Sequence, residues 1–204
     1  MTIRQELSVL FDAWRTVHER YVRSVRDKPD CIWWSDERAN IGALIGAAAL
    51  VGWPAVQEFQ DPRVKRQHRG DLWVQLPSQR GVFFEAKSCY VSASTPGNIC
   101  RGMRAAHERS REQATKIANR MDRRDAVARI TFASPRWRRK PGNKDVEKWL
   151  AQAVPWCRLI TKAARGSSGD VEEWCGLPEG YETPREDGWH YPGVLLFGEL
   201  LTRR

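Results

Sequence analysis

Two strand-like runs with a turn between them constrain this chain more than any other feature. Asp71-Leu72-Trp73-Val74-Gln75-Leu76 and Val82-Phe83-Phe84-Glu85-Ala86-Lys87 flank Pro77-Ser78-Gln79-Arg80-Gly81, which predicts an antiparallel hairpin. Asp71 lies seven residues before Ser78, and Glu85 lies seven after it. An odd-length loop centred on Ser78 sets Asp71 opposite Glu85, where cross-strand Cβ atoms are about 5 Å apart. Glu85 and Lys87, two apart on one strand, point to the same face. That register gathers two carboxylates and an ammonium on one patch, whereas an even-length loop would send Asp71 to the other face. The opposite face is apolar (Leu72, Val74, Leu76, Val82, Phe84), and Trp73 and Phe83 share the charged face. Both faces therefore expect cover, and the charges expect partners.

The segments around the hairpin predict an α/β fold, a central mixed sheet flanked by helices. From Thr2 to about Arg26, Ile3, Leu7, Leu10, Trp14, Val17 and Tyr21 recur at helical spacing, with Phe11 and Val25 widening the stripe. This helix packs on the domain or serves as a seam for a second copy. A second helix starts with Ser35 as its N-cap and Asp36 and Glu37 at the positive end of its dipole. Its run from Ile41 to Leu50 is apolar nearly all round and calls for close burial against a sheet; Gly52 and Pro54 stop it. Ala55 to Gln60 reads as a strand, Met103 to about Arg124 as an Arg-crowded helix, and Ala126 to Ala133 as a further strand. Lys144 to Ala164 is expected to be helical with a break at Pro155, Gly166 to Gly169 a joint, and Gly193 to Phe197 a late strand. The expected division is an N-terminal amphipathic helix (1–30), a core (31–165) and an acidic C-terminal extension (166–204) packed on the same domain.

Composition narrows the function classes. At 204 residues and 41% apolar content, the chain is long enough for one domain with a real core and too apolar for disorder. Its longest apolar stretch, Ile41 to Val51, is far short of the roughly 20 residues a bilayer needs, and no signal pattern opens the sequence. Five cysteines without a C-x-x-C, and four scattered histidines, support neither a thiolate metal site nor a disulfide framework, so a cytoplasmic setting is expected. The net charge of +9 is uneven: residues 1–165 carry 31 basic and 17 acidic side chains, and residues 166–204 carry three and eight. A basic body implies a polyanionic partner. Arg63, Lys65, Arg66, His68 and Arg69 form a basic loop running into Asp71, and Arg136, Trp137, Arg138, Arg139 and Lys140 form another. Such loops suit phosphates, and Trp137 suits a stacked base. A homodimer or partner protein would use the first helix or the acidic tail.

Two carboxylates at hairpin distance repel unless a cation lies between them, and a hard ion such as Mg²⁺ takes oxygen ligands of this kind. Glu37 on a helix, then Asp71, then Glu85-Ala86-Lys87 on the next strand, resembles the PD-(D/E)xK (restriction-endonuclease-like) nuclease superfamily. The resemblance covers residues 33 to 135 and implies an αβββαβ core. It also implies a phosphodiester hydrolase that uses Mg²⁺, with Mn²⁺ as substitute, and prefers DNA over RNA, in a setting such as phage defence or restriction. In its terms Asp71 and Glu85 are metal ligands, with the Ala86 carbonyl and an accessory Glu37. Lys87 activates water, and Gln113 is a polar active-site residue. Gly70 stands where many members have Pro. The alternative is a catalytically silent nucleic-acid-binding or assembly subunit with the same fold.

Overall fold

The computed structural model describes residues 2–25, 31–32, 36–60, 69–92, 96–119, 125–138, 171–176, 185–186, 189–191 and 193–201. Within them the order is α1 (Ile3–Ser24), α2 (Glu37–Leu50), β1 (Ala55–Gln60), β2 (Arg69–Gln75), β3 (Gly81–Ser92), α3 (Pro96–Ala118), β4 (Ala126–Arg138), β5 (Val171–Gly176), β6 (Arg185–Glu186), β7 (Trp189–His190) and β8 (Gly193–Leu201). This is an α/β chain with a mixed sheet and helices.

β1, β2 and β3 form an antiparallel meander; β4 joins parallel to β3, as the α3 crossover between them requires. On its far side β4 pairs with β8 along Val127–Ala133 and with β7 at Trp137 and Arg138. β5 closes on β8, and β6 on β7. The acidic segment thus supplies strands to the sheet.

One face of the sheet is buried under α1 and α2. Leu7, Leu10, Phe11 and Trp14 of α1, Leu44 and Ala47 of α2, and Leu72, Val74, Val82, Phe84, Ile130 and Phe132 of the strands share one core. α3 covers the other face, its Ala114 and Ile117 packing on Phe83 and Val127. α1 opens with a reciprocal cap between Thr2 and Gln5. Its buried Glu6 accepts hydrogen bonds from the Ser78 amide and hydroxyl, both at 2.9 Å, and so staples the helix to the hairpin turn. α2 ends because Gly52 takes φ +75°, letting the Gly52 and Trp53 amides reach the Ala49 and Ala48 carbonyls.

Several expected boundaries move. Asp36, not Ser35, caps α2, its carboxylate accepting from the Ala39 amide at 3.1 Å; Ser35 lies outside the described residues. α2 packs on α1 as well as on the sheet, with Gly46 against Val17, and leaves Leu50 exposed, so it is less fully enclosed than its composition suggested. α3 begins at Pro96 and stops at Ala118, not near Arg124. β4 runs on to Arg138, so Arg136, Trp137 and Arg138 belong to a strand and not to a loop; pairing with β3 and then β7 extends it. Arg69 likewise lies in β2, opposite Gln60. β8 extends to Leu201. The expected helix at 144–164 and the joint at 166–169 lie outside the described residues, as do Trp33 and Trp34. Among the described residues no helix is long and apolar enough to cross a membrane.

Candidate active site

The hairpin has the register that symmetry about Ser78 requires: Leu72 faces Phe84, Trp73 faces Phe83 and Val74 faces Val82. One step further, Asp71 comes level with Glu85, and its Oδ2 accepts a hydrogen bond from the Ala86 amide at 2.7 Å. Lys87 gathers the patch. Its Nζ donates to Glu85 Oε1 at 3.1 Å, to Glu37 Oε1 at 3.4 Å and to the Ala86 carbonyl at 2.6 Å, and stands 3.8 Å from Asp71 Oδ2. Glu37 arrives on the first turn of α2, where its second oxygen accepts from the Ser88 amide at 3.1 Å. Four residues from α2, β2 and β3 therefore meet around one ammonium.

Burial sets the electrostatics. The Glu85 side chain is 5% exposed and that of Lys87 19%. Burial, then the neighbouring Asp71 charge, push the Glu85 carboxyl up to about 7, against the pull of Lys87. Burial also raises Asp71; the Ala86 amide and Lys87 oppose it, and the charge of Glu58 adds to it. Glu37 is raised by burial, with Lys87 opposing. For Lys87 burial works against the ammonium, but Glu85, Asp71 and Glu37 outweigh it and raise the net affinity for the proton. Lys87 is consequently a cation at neutral pH, and what it offers to the patch is a charge and hydrogen-bond donors.

Glu58 is a neighbour that sequence reasoning missed. β1 pairs Gln57 with Leu72 and Phe59 with Gly70, which leaves Glu58 across from Asp71. It adopts φ +50°, a left-handed conformation that costs a non-glycine residue roughly 1–2 kcal/mol, and it lies 3.7 Å from the Arg38 guanidinium. A lone Glu in a short strand carries no signal of this in the sequence. Gln113, expected near the site, is exposed on α3, at the edge of the stripe that carries the buried Ala106, Ser110 and Ile117. Among the expected nucleic-acid contacts, Arg136 is partly buried with its guanidinium 4.6 Å from the centre of the Tyr90 ring. Arg63, Lys65, Arg66, His68, Arg139 and Lys140 lie outside the described residues.

Among the described residues no three side chains of the metal-ligating types stand as a ready-made cage. The donors that do converge are the hard oxygens of Asp71, Glu85, Glu37 and the Ala86 carbonyl, and a cation, Lys87 Nζ, already occupies their focus. In donor chemistry this set fits Mg²⁺ or Mn²⁺ and not a softer metal. No protein family, curated protein or solved structure matches the chain.

Proposed function

We propose that this chain is a Mg²⁺-dependent nuclease of the PD-(D/E)xK kind that hydrolyses phosphodiester bonds, in DNA before RNA. The observation that carries the reading is the convergence of Glu37, Asp71, Glu85 and Lys87, from three separate elements, on one partly buried patch. The element order from α2 to β4 agrees with the αβββαβ core that the resemblance implies.

Asp71, Glu85 and the Ala86 carbonyl would hold the ion, with Glu37 at the side. Bound there, Mg²⁺ supplies charge to a phosphoryl oxygen and lowers the pKa of a water. In the hydrolysis a water oxygen bonds to phosphorus, the bond from phosphorus to the leaving sugar oxygen breaks, and that oxygen takes up a proton. The proton lost by the water passes to a carboxylate of the patch. Lys87, held as an ammonium, orients the water or donates to the charge that builds on the phosphate. Burial of Glu85 keeps bulk water from weakening these interactions.

The test compares wild type with Asp71→Ala and Lys87→Ala on plasmid and single-stranded substrates in Mg²⁺, Mn²⁺ or EDTA. Metal-dependent cleavage should fall about 100-fold or more in both variants. Cleavage unaffected by either substitution rejects the site. One observation favours a second reading, a non-catalytic nucleic-acid-binding subunit: Lys87 is already satisfied by two carboxylates and a carbonyl, as in a purely structural ion-pair cluster. Nucleic-acid binding with no cleavage of any substrate would select that reading.

A further inference from the structure

The face of the sheet that carries the patch is ordered in rows across β3, β4 and β8. The register gives Phe83–Val127–Leu201, then Glu85–Arg129–Glu199, then Lys87–Thr131–Phe197. The first row is apolar and packs under α3. The middle row places a cation between two carboxylates. Arg129 is wholly buried, and its guanidinium bonds Glu199, which is 12% exposed. Gly198, beside Glu199, leaves no room for a side chain: a Cβ there would lie 2.9 Å from the Arg129 carbonyl oxygen. The charges of α3 that reach Arg129 are Glu108, which favours its charged form, and Arg111, which opposes it.

A buried guanidinium needs a counter-charge. In this row Arg129 has one on each side, each with its Cβ about 5 Å away by ordinary strand spacing. It is bound to the one on β8, while Glu85 is left to Lys87. Were Arg129 to turn the other way, its charge would join that of Lys87 at Glu85 and oppose a divalent cation there.

We propose that Glu199 holds Arg129 away from Glu85 and so spares the patch a second cation beside Lys87 that would compete with a metal ion; Glu199 is a positioning residue for the site. This rests on the reading of Asp71 and Glu85 as metal ligands. It also gives the last strand of the acidic segment a role in the chemistry, since one row of the sheet joins Glu85 to Glu199.

The test is Mn²⁺ binding by calorimetry and by metal-induced thermal stabilisation, in wild type, Glu199→Gln, Arg129→Met/Glu199→Gln and Glu85→Gln. Glu199→Gln should bind Mn²⁺ about tenfold more weakly, since an added cation at the ligand opposes the metal. The double variant, which removes the competing guanidinium, should recover wild-type affinity. Should Glu199→Gln fail to fold, Glu199→Met, which also removes the counter-charge, takes its place in the same comparison, with and without Arg129→Met. Unchanged affinity on altering Glu199 overturns the proposal, and so does a loss that Arg129→Met does not rescue, which would mark a merely structural role. If wild type and Glu85→Gln bind Mn²⁺ alike, the metal-site reading itself fails, and the role of Glu199 fails with it.

Discussion

Lowering the pH from 8 to 6 should strip a divalent cation from the carboxylate patch, and Glu85 sets the size of the effect. Its carboxyl, ordinarily ionising at 4.5, is pushed up to about 7, first by burial and then by the charge of Asp71. Only the ionised carboxylate is a good ligand, so affinity follows the ionised fraction. With a pKa of about 7 that fraction falls from about nine-tenths at pH 8 to about one-tenth at pH 6, roughly a tenfold loss. A carboxylate at its ordinary value would stay ionised throughout and give no change. Mn²⁺ calorimetry at pH 6, 7 and 8, in buffers of different ionisation enthalpy, reads both the affinity and the proton released. Folding without metal has its own dependence. A carboxyl whose folded pKa is raised stabilises the fold by taking up a proton; that contribution is complete below about 4.5 and is lost as the pH rises through about 7, about 3 kcal/mol in all. Glu85→Gln should abolish both effects. Equal Mn²⁺ affinity of the wild type at pH 6 and pH 8 would refute this account of Glu85.

Two further outcomes follow from α1. Glu6→Ala removes both hydrogen bonds to Ser78 and should cost about 3 kcal/mol in urea unfolding, whereas Asp12→Ala, which breaks an exposed ion pair with Arg15, should cost less than about 1 kcal/mol; similar losses would rule out the staple. His18 is buried and its imidazole is pushed down to about 3, so below 6.5 the unfolded chain takes a proton that the folded chain refuses. Stability should then fall by about 1.4 kcal/mol per pH unit below about 6.5 relative to His18→Gln, a comparison in which the raised carboxyls of Glu85, Asp71 and Glu37 cancel; a constant difference between the two proteins from pH 6.5 to 4.5 would count against a neutral His18.

The site was more legible than the boundaries of the elements around it. The Asp71–Glu85 register could be read because a five-residue turn leaves one symmetric pairing, and an alternating strand has only two faces. Lys87 followed from the same alternation. Glu37 was legible as a helix-start carboxylate, although the cap proved to be Asp36, since Ser and Asp cap equally well in sequence. The far ends of β3 and β4 were not legible. Ser88 to Ser92 and Ser134 to Arg138 lack an alternating apolar pattern, and it is the pairing of β3 with β4, and of Trp137 and Arg138 with β7, that makes them strands. The Arg129–Glu199 bond was equally hidden, because it depends on which strand lies beside β4, and the sequence contains no local record of that choice.

The position of β8 bears on how the chain is made. β4 lies inside the sheet because β8, formed by residues 193–201, covers its second edge along Val127–Ala133 and β7 covers Trp137 and Arg138. During synthesis β1 to β4 emerge first, and until β8 follows β4 has an open edge, a template for wrong pairing with other chains. A sheet completed by so distant a segment has high contact order and folds slowly. Arg129 has its counter-charge only when Glu199 arrives, so the guanidinium can be sealed from water only at that late step. A ribosome that stalls before residue 193 would therefore release a chain with Asp71, Glu85 and Lys87 all present but with the strand beside them unclosed.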